Sequence, residues 1–254
     1  MRLDVALVSQ KQIKTRTLAQ DYIKEGCILI NGKVMKKPSY DVKDGDVIEV
    51  LERTHSFASR GGIKLYEAIQ AFSVDLHDKV VLDVGASTGG FSDVCLQLGA
   101  KHVYAVDVGH DQLAQYLRED KRISNMEGIN AKNLESSMFD LPINFICMDV
   151  SFISIKQILE SVCSVATRPF VCVLLIKPQF EVGKAHLNKQ GIVKNKKVHK
   201  KLLKDYIDFF SSLDLHVNDL CKSSVTGRGG NQEYLVYLKS EGSSKGIDID
   251  KIVS

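Results

Sequence analysis

Apolar positions along the chain fall into two rhythms. Strand candidates fall at 80–84, 102–107, 123–127, 143–149, 170–176, 215–221 and 233–238; the most continuously apolar of them, such as 80–84 and 170–176, suit a strand covered on both faces. Helical periodicity fills the earlier gaps, while the loop "SSVTGRGGNQ" joins the last two strands. Strand and helix in alternation, closing on a hairpin, predict an α/β fold. Its sheet would be doubly wound, seven-stranded and mainly parallel, with an antiparallel C-terminal hairpin.

The first fifty residues read differently. "TRTLAQDYIKEG", residues 15–26, sets Leu18, Ala19, Tyr22 and Ile23 on one helical face and stops at Gly26. "CILINGKVM" reads as a hairpin around Asn31-Gly32, a dipeptide that tolerates positive φ at both turn positions. "KDGDVIEVL" adds one more strand. The pattern predicts a small α+β domain over 1–52, a polar glycine-bearing linker at 53–63, an α/β domain over 64–240 opening on the helix "KLYEAIQAF", and a tail at 241–254.

With 44% apolar and 26% charged residues, the chain has the composition of a globular protein with a true core. Its longest purely apolar run, "FVCVLLI", has seven residues, against the roughly 20 that span a bilayer. "MRLDVALVSQ" has neither a long apolar core nor a cleavage site. A cytoplasmic protein without a membrane partner is expected. The six cysteines form no C-x-x-C pair and sit mostly in apolar runs, so they read as reduced core residues, with no metal site.

Net charge is only +3, and all of the excess lies in residues 1–60, with 11 basic against 8 acidic; the rest carries 23 of each. Lys11, Lys14, Arg16, Lys33, Lys36 and Lys37 fall at helix starts and turns, where a phosphate backbone could reach them. Residues 183–204 add eight lysines and no acid. Both stretches have a plain alternative as solvated basic faces.

The candidate chemistry centres on "DVGASTGGF", residues 83–91, between a predicted strand and helix. A phosphate-binding P-loop requires lysine where Phe91 stands, which removes a triphosphate reading. A dinucleotide fold expects glycine at 85, 87 and 90, and the middle position is Ser87. Asp107, 22 residues beyond Gly85, suits the ribose of either NAD or S-adenosylmethionine. Asp83 and Asp149, ending the first and fourth strands of the large domain, suit a sulfonium and an ammonium but would repel a pyrophosphate. S-adenosylmethionine is therefore favoured, with NAD and a purely structural turn left as alternatives.

The fourth strand ends in "CMDVSF", not in the Asn/Asp-Pro-Pro-aromatic sequence that grips a base amino group, and no Pro-Cys dipeptide offers a nucleophile for pyrimidine carbon-five. Instead "LLIKPQF" places Lys177 directly after a buried strand. Alone it reads as a snorkelling strand-end lysine; Lys64, Asp149 and Glu233 add three further ionisable groups. A ribose 2'-hydroxyl must lose its proton as it attacks, and a lysine can take it if burial and a second cation lower the lysine pKa toward about 7. Lys64 could supply that cation, with Asp149 and Glu233 orienting the ammonium groups.

"SRGGIKL", "DVGASTGGFSDV", "AVDVGHDQLA", "MDVSFISI", "LLIKPQFEVGK" and "GNQEYLVYL" together resemble the TlyA (haemolysin A) family of ribosomal RNA methyltransferases over roughly residues 1–240. The resemblance implies an S4-like RNA-binding domain joined to an FtsJ-like domain of Rossmann-like class I methyltransferase fold. It implies cytidine 2'-O-methylation of ribosomal RNA with S-adenosyl-L-methionine, in a monomer or weak oligomer that uses no metal and binds no DNA. By the same resemblance a catalytic tetrad falls on Lys64, Asp149, Lys177 and Glu233. Cofactor contacts fall on Asp83, Gly85, Ser87, Thr88, Gly89, Gly90, Phe91, Asp107, Asn130 and Asp149. RNA contacts fall on Arg2, Lys14, Arg16, Lys33, Arg60 and Lys184. Family members with both subunits as targets tend to have longer ends, so the large subunit is the expected target here. A noncatalytic ribosome-assembly factor and a lytic protein are the competing readings; the four ionisable groups speak against the first and the short apolar runs against the second.

Overall fold

The computed structural model describes residues 1–13, 15–51 and 57–254, apart from the side chains of Thr17, Asp21, Lys24, Glu25 and Arg228. Lys14 and positions 53–56 of the expected linker lie outside the described residues. The chain divides into two compact units, Met1–Ser56 and Phe57–Ser254.

The first unit contains α1 (Leu3–Ser9), α2 (Arg16–Glu25), β1 (Ile28–Ile30), β2 (Lys33–Val34) and β3 (Ile48–Val50), with the strands antiparallel in the order β2-β1-β3. Thr15 caps α2 by accepting the Leu18 N–H at 3.2 Å, and Gly26 ends it in the left-handed region at φ 82°. Asn31 and Gly32 both have positive φ, as a tight two-residue hairpin requires. Leu3, Leu7, Ile13, Ala19, Ile23, Ile28 and Ile30 form the core. The strand and α2 patterns do not predict α1, a seven-residue helix that buries Leu3, Ala6 and Leu7 at helical spacing.

The second unit begins with α3 (Arg60–Phe72) and continues through β4 (Val80–Val84), α4 (Gly90–Gln97), β5 (His102–Asp107), α5 (Gln115–Arg118), β6 (Ile123–Glu127), β7 (Phe145–Met148), α6 (Leu159–Ser164) and β8 (Val171–Ile176). It ends with α7 (Pro178–Glu181), α8 (Lys196–Ser212), β9 (His216–Lys222), β10 (Tyr234–Lys239) and α9 (Ile249–Val253). The seven strands run β6-β5-β4-β7-β8-β10-β9, and β10 is antiparallel to both of its neighbours. One side of the sheet packs on a cluster including Leu65, Ile69, Phe91 and Val94; the other holds Leu159, Leu203, Tyr206 and Phe210.

Two boundaries differ from the sequence pattern. Helix α3 starts at Arg60, inside the expected linker, because Ser59 caps it by accepting the Gly61 N–H at 3.2 Å. The polar, glycine-bearing stretch looks like a loop, yet a Cβ on Gly62 would lie 2.8 Å from the Gly90 carbonyl oxygen, so glycine here permits helix packing. The expected tail contains α9, capped by Asp248 and burying Ile249 and Val253. Among the described residues no helix is long and apolar enough to cross a membrane, and no His, Cys, Asp and Glu cluster could hold a metal ion.

Candidate active site

The sheet brings four ionisable side chains to one edge through its topology. Strand β10 pairs antiparallel with β8 through Tyr234 and Ile176, so Glu233, just before β10, comes level with Lys177, just after β8. Asp149 follows β7, the other neighbour of β8. Lys177 Nζ lies 2.5 Å from Asp149 Oδ1 and donates to Ser151 Oγ at 2.8 Å. The approach to Asp149 is charge against charge, since Oδ1 receives no directed hydrogen bond.

Lys64, on the second turn of α3, donates from Nζ to Glu233 Oε2 at 2.5 Å. Gln179 Nε2 donates to the other oxygen, Oε1, at 3.0 Å. A Cβ on Gly61 would lie 3.3 Å from Asp149 Oδ2, so the start of α3 passes over that carboxylate. Gln179, two residues after Lys177, thus reaches the carboxylate that holds Lys64. Lys64, Lys177 and Glu233 are buried. Buried ion pairs repay little of their desolvation cost as stability, so two of them side by side make sense as an arrangement for handling protons.

The glycine-rich turn lies at the end of β4. Gly85 has φ +83°, and a Cβ there would sit 2.8 Å from the Asp149 carbonyl oxygen. Ser87, where a dinucleotide motif would have glycine, still adopts φ 49°. Asp107 holds this turn to β5: its Oδ2 accepts the Ser87 N–H at 2.8 Å and its Oδ1 the Gly109 N–H at 2.7 Å. Gly89 and Gly90 make room for protein, Gly89 for Leu117 and Gly90 for Ser59 and the Gly62 nitrogen. Phe91 is a buried core residue, so its side chain faces other apolar groups where the resemblance implied a cofactor contact.

Asp83 is fully buried, accepts from Ser92 Oγ at 2.7 Å, and leaves its Oδ1 without a partner among the described residues. Burial pushes its pKa up to about 7; the Ser92 bond opposes that rise and the charge of Asp149 adds to it. Ser87, Thr88 and Asn130 are exposed along the same strand ends. Asn130 caps a short 3-10 turn through Lys132 N–H, one residue after Ile129 donates to the Asp107 carbonyl at 3.0 Å. An orphan buried carboxylate oxygen, a second acid at the next strand end and the exposed Ser87 and Thr88 of the glycine turn fit a cationic, ribose-bearing cofactor.

Glu127 completes this rim. It accepts the backbone N–H groups of Leu113, Gln112 and Asp111, and these bonds, led by that of Leu113, lower its pKa to about 2. The sequence signal was an acid closing β6 just before Gly128.

The basic residues assigned to RNA are distributed between the units. Arg2 and Arg16 are exposed but already bonded to buried Asp4, a partner that charge counting passed over. Lys33 is exposed at the hairpin and Lys184 on a short 3-10 turn, while Arg60 is a half-buried first residue of α3. Phe152, two residues beyond the end of "MDV", is 87% exposed at φ 66°. Its ring centroid lies 5.0 Å from that of Phe180, which is itself 6.0 Å from Lys177 Nζ. An exposed ring on a left-handed backbone beside a buried lysine was not legible as a site from apolar patterning.

Comparison with known proteins matches residues 57–240 to the FtsJ-like methyltransferase family and residues 1–48 to the S4 domain. The chain is 39% identical to hemolysin A of Brachyspira hyodysenteriae, over 94% of this chain and 99% of that one. It is 34% identical to the 16S/23S rRNA (cytidine-2'-O)-methyltransferase TlyA of Mycobacterium tuberculosis, over 97% and 94% of the two chains. A solved Streptococcus thermophilus protein, provisionally named a hemolysin, superposes with a TM-score of 0.79 at 36% identity, covering 100% of this chain and 94% of the other.

Proposed function

The chain belongs to the FtsJ-like methyltransferases that carry an S4 domain, the family of haemolysin A and TlyA, and on that premise we propose that it methylates the 2'-hydroxyl of a cytidine in ribosomal RNA. Large-subunit RNA is the proposed target. The observation that carries the reading is two lysine–carboxylate contacts, Lys177 with half-buried Asp149 and the buried pair of Lys64 with Glu233, the latter supported by Gln179.

S-adenosylmethionine, when bound, supplies an electrophilic methyl carbon. Asp83, Asp107 and Asn130, with the turn from Gly85 to Gly90, would hold it: the acids suit its positive charge and its ribose hydroxyls. The reaction then requires a deprotonated ribose oxygen, held in line and shielded from water. Lys177 must first give up its own proton to solvent; the neutral amine then accepts the hydroxyl proton, and the ammonium so formed is held by Asp149 and Ser151. Lys64 adds a second cation near the developing oxyanion, and Glu233, fixed on both oxygens, keeps that ammonium from swinging away. Phe152 offers a face on which a base of the bound RNA stacks. The S4 domain supplies sequence-independent phosphate contacts.

Mapping ribose methylation on ribosomal RNA from cells with and without this protein tests the proposal. Loss of a single 2'-O-methylcytidine is expected; an unchanged methylation map would reject it.

A further inference from the structure

The turn after β8 sends successive side chains to different parts of the site. Lys177 reaches Asp149 and Ser151, Gln179 reaches Glu233, and Phe180 packs its ring beside that of Phe152. Glu181 ends α7 half-buried, and its Oε1 accepts the Ile155 N–H at 3.1 Å. Among the described residues it has no ion-pair partner.

Ile155 closes the loop that leaves β7. The Asp149 N–H donates to the Val84 carbonyl at 3.0 Å, and the next backbone donor that finds a partner among the described residues is the Ile155 N–H. Between these two anchors stand Ser151, which receives Lys177, and Phe152, exposed and in the left-handed region at φ 66°. A phenylalanine persists in that conformation only where the chain on both sides of it is fixed. The pairing with β4 fixes one side, and Glu181 fixes the other. The buried Ile155 side chain and the Ser154 hydroxyl, which accepts the Lys156 N–H at 3.2 Å, give the second anchor a firm seat. A carboxylate beside a surface that receives RNA repels a polyanion; its hydrogen bond gives it a use there.

We propose that Glu181 is a positioning residue for RNA: by holding the Ile155 N–H it fixes the loop that presents Phe152 to a base of the substrate. This role rests on the reading of Phe152 as a stacking platform. It separates two substitutions that remove the same charge. E181Q keeps an oxygen that accepts the Ile155 N–H, and E181A keeps none.

The test titrates full-length wild type, E181Q, E181A, F152A and F152A/E181A against 23S ribosomal RNA at fixed salt, with circular dichroism melts as a check on folding. E181Q should bind as tightly as wild type or a few-fold more tightly, because a repulsive charge is gone. E181A should bind about tenfold more weakly, within the loss that one unstacked base can cause. In the F152A background the same substitution should add less than about twofold, since the ring it positions is absent. If E181A does not fold, E181M, of similar length and without an acceptor, replaces it in both backgrounds. E181A binding like E181Q, or adding its full loss to that of F152A, overturns the role of Glu181 and leaves the stacking reading intact. F152A binding as tightly as wild type removes the stacking reading itself.

Discussion

Lys64 and Glu233 stand 169 positions apart and meet in a buried ion pair, Nζ to Oε2 at 2.5 Å. Breaking such a pair from one side strands a charge in the interior, which costs about 3–5 kcal/mol, whereas replacing both partners by apolar groups is often neutral. E233L should therefore lower stability to urea strongly, and K64M/E233L should recover most of the loss without recovering methyl transfer. Additive single-mutant losses in the double variant would contradict a direct pair.

Lys177 is the group proposed to take the proton. K177A should reduce methyl transfer about 10²- to 10⁴-fold, the range for a positioned base, while S-adenosylmethionine binding measured by calorimetry stays within a few-fold. Activity near the wild-type level would assign the proton to another group.

Gln179 acts through Glu233, so its substitution should appear in kcat. Q179A removes the donor to Oε1; Q179E sets a second carboxylate against Glu233 and should be the more damaging. A drop in kcat of about tenfold or more, with KM for RNA nearly unchanged, is the signature of lost positioning. A rise in KM alone would point to direct contact with the substrate.

Phe152 should be read out through RNA. Stacking of one base is worth about 1–3 kcal/mol, so F152A is expected to weaken RNA binding or raise KM about 5- to 150-fold, with F152Y close to wild type. Cofactor affinity equal to wild type in both variants would separate this from damage to the pocket.

Asp83 links the cofactor to pH. Its folded pKa of about 7 lies above the ordinary aspartate value of 3.8, so between those values the folded chain holds a proton that the unfolded chain has released, and stability falls as pH rises through that window. A cation bound near the carboxylate favours its ionised form. Cofactor affinity should therefore rise as pH increases through about 7, with proton release visible as a buffer-dependent calorimetric heat. D83N should abolish that dependence, and an equal pH profile in the two proteins would exclude Asp83 as its source.

The sheet was legible because its central strands are apolar runs set off by turns, and the Asn31-Gly32 hairpin because two consecutive positive φ values select that dipeptide. Asp149, Lys177 and Glu233 could be placed at strand ends and Lys64 at the start of the large domain, but their pairing could not: it depends on β10 lying beside β8, and the connectivity of a hairpin does not say which strand it joins. Gln179 and Phe152 escaped notice because a neutral amide and an exposed ring are ordinary at a turn until their neighbours are known. Gly61 and Gly62 misled, since the same absence of a side chain serves a loop and a tight helix contact.

Strand β9 touches the sheet only through β10, which is made after it and inserts between β8 and β9. Synthesis therefore reaches Lys64, Asp149 and Lys177 well before anything exists to pair Lys64. Until the last strand slides into place, the chain has a methyltransferase fold with an open edge and an unpaired lysine inside it. Completion of the sheet and the pairing of Lys64 with Glu233 are therefore one event.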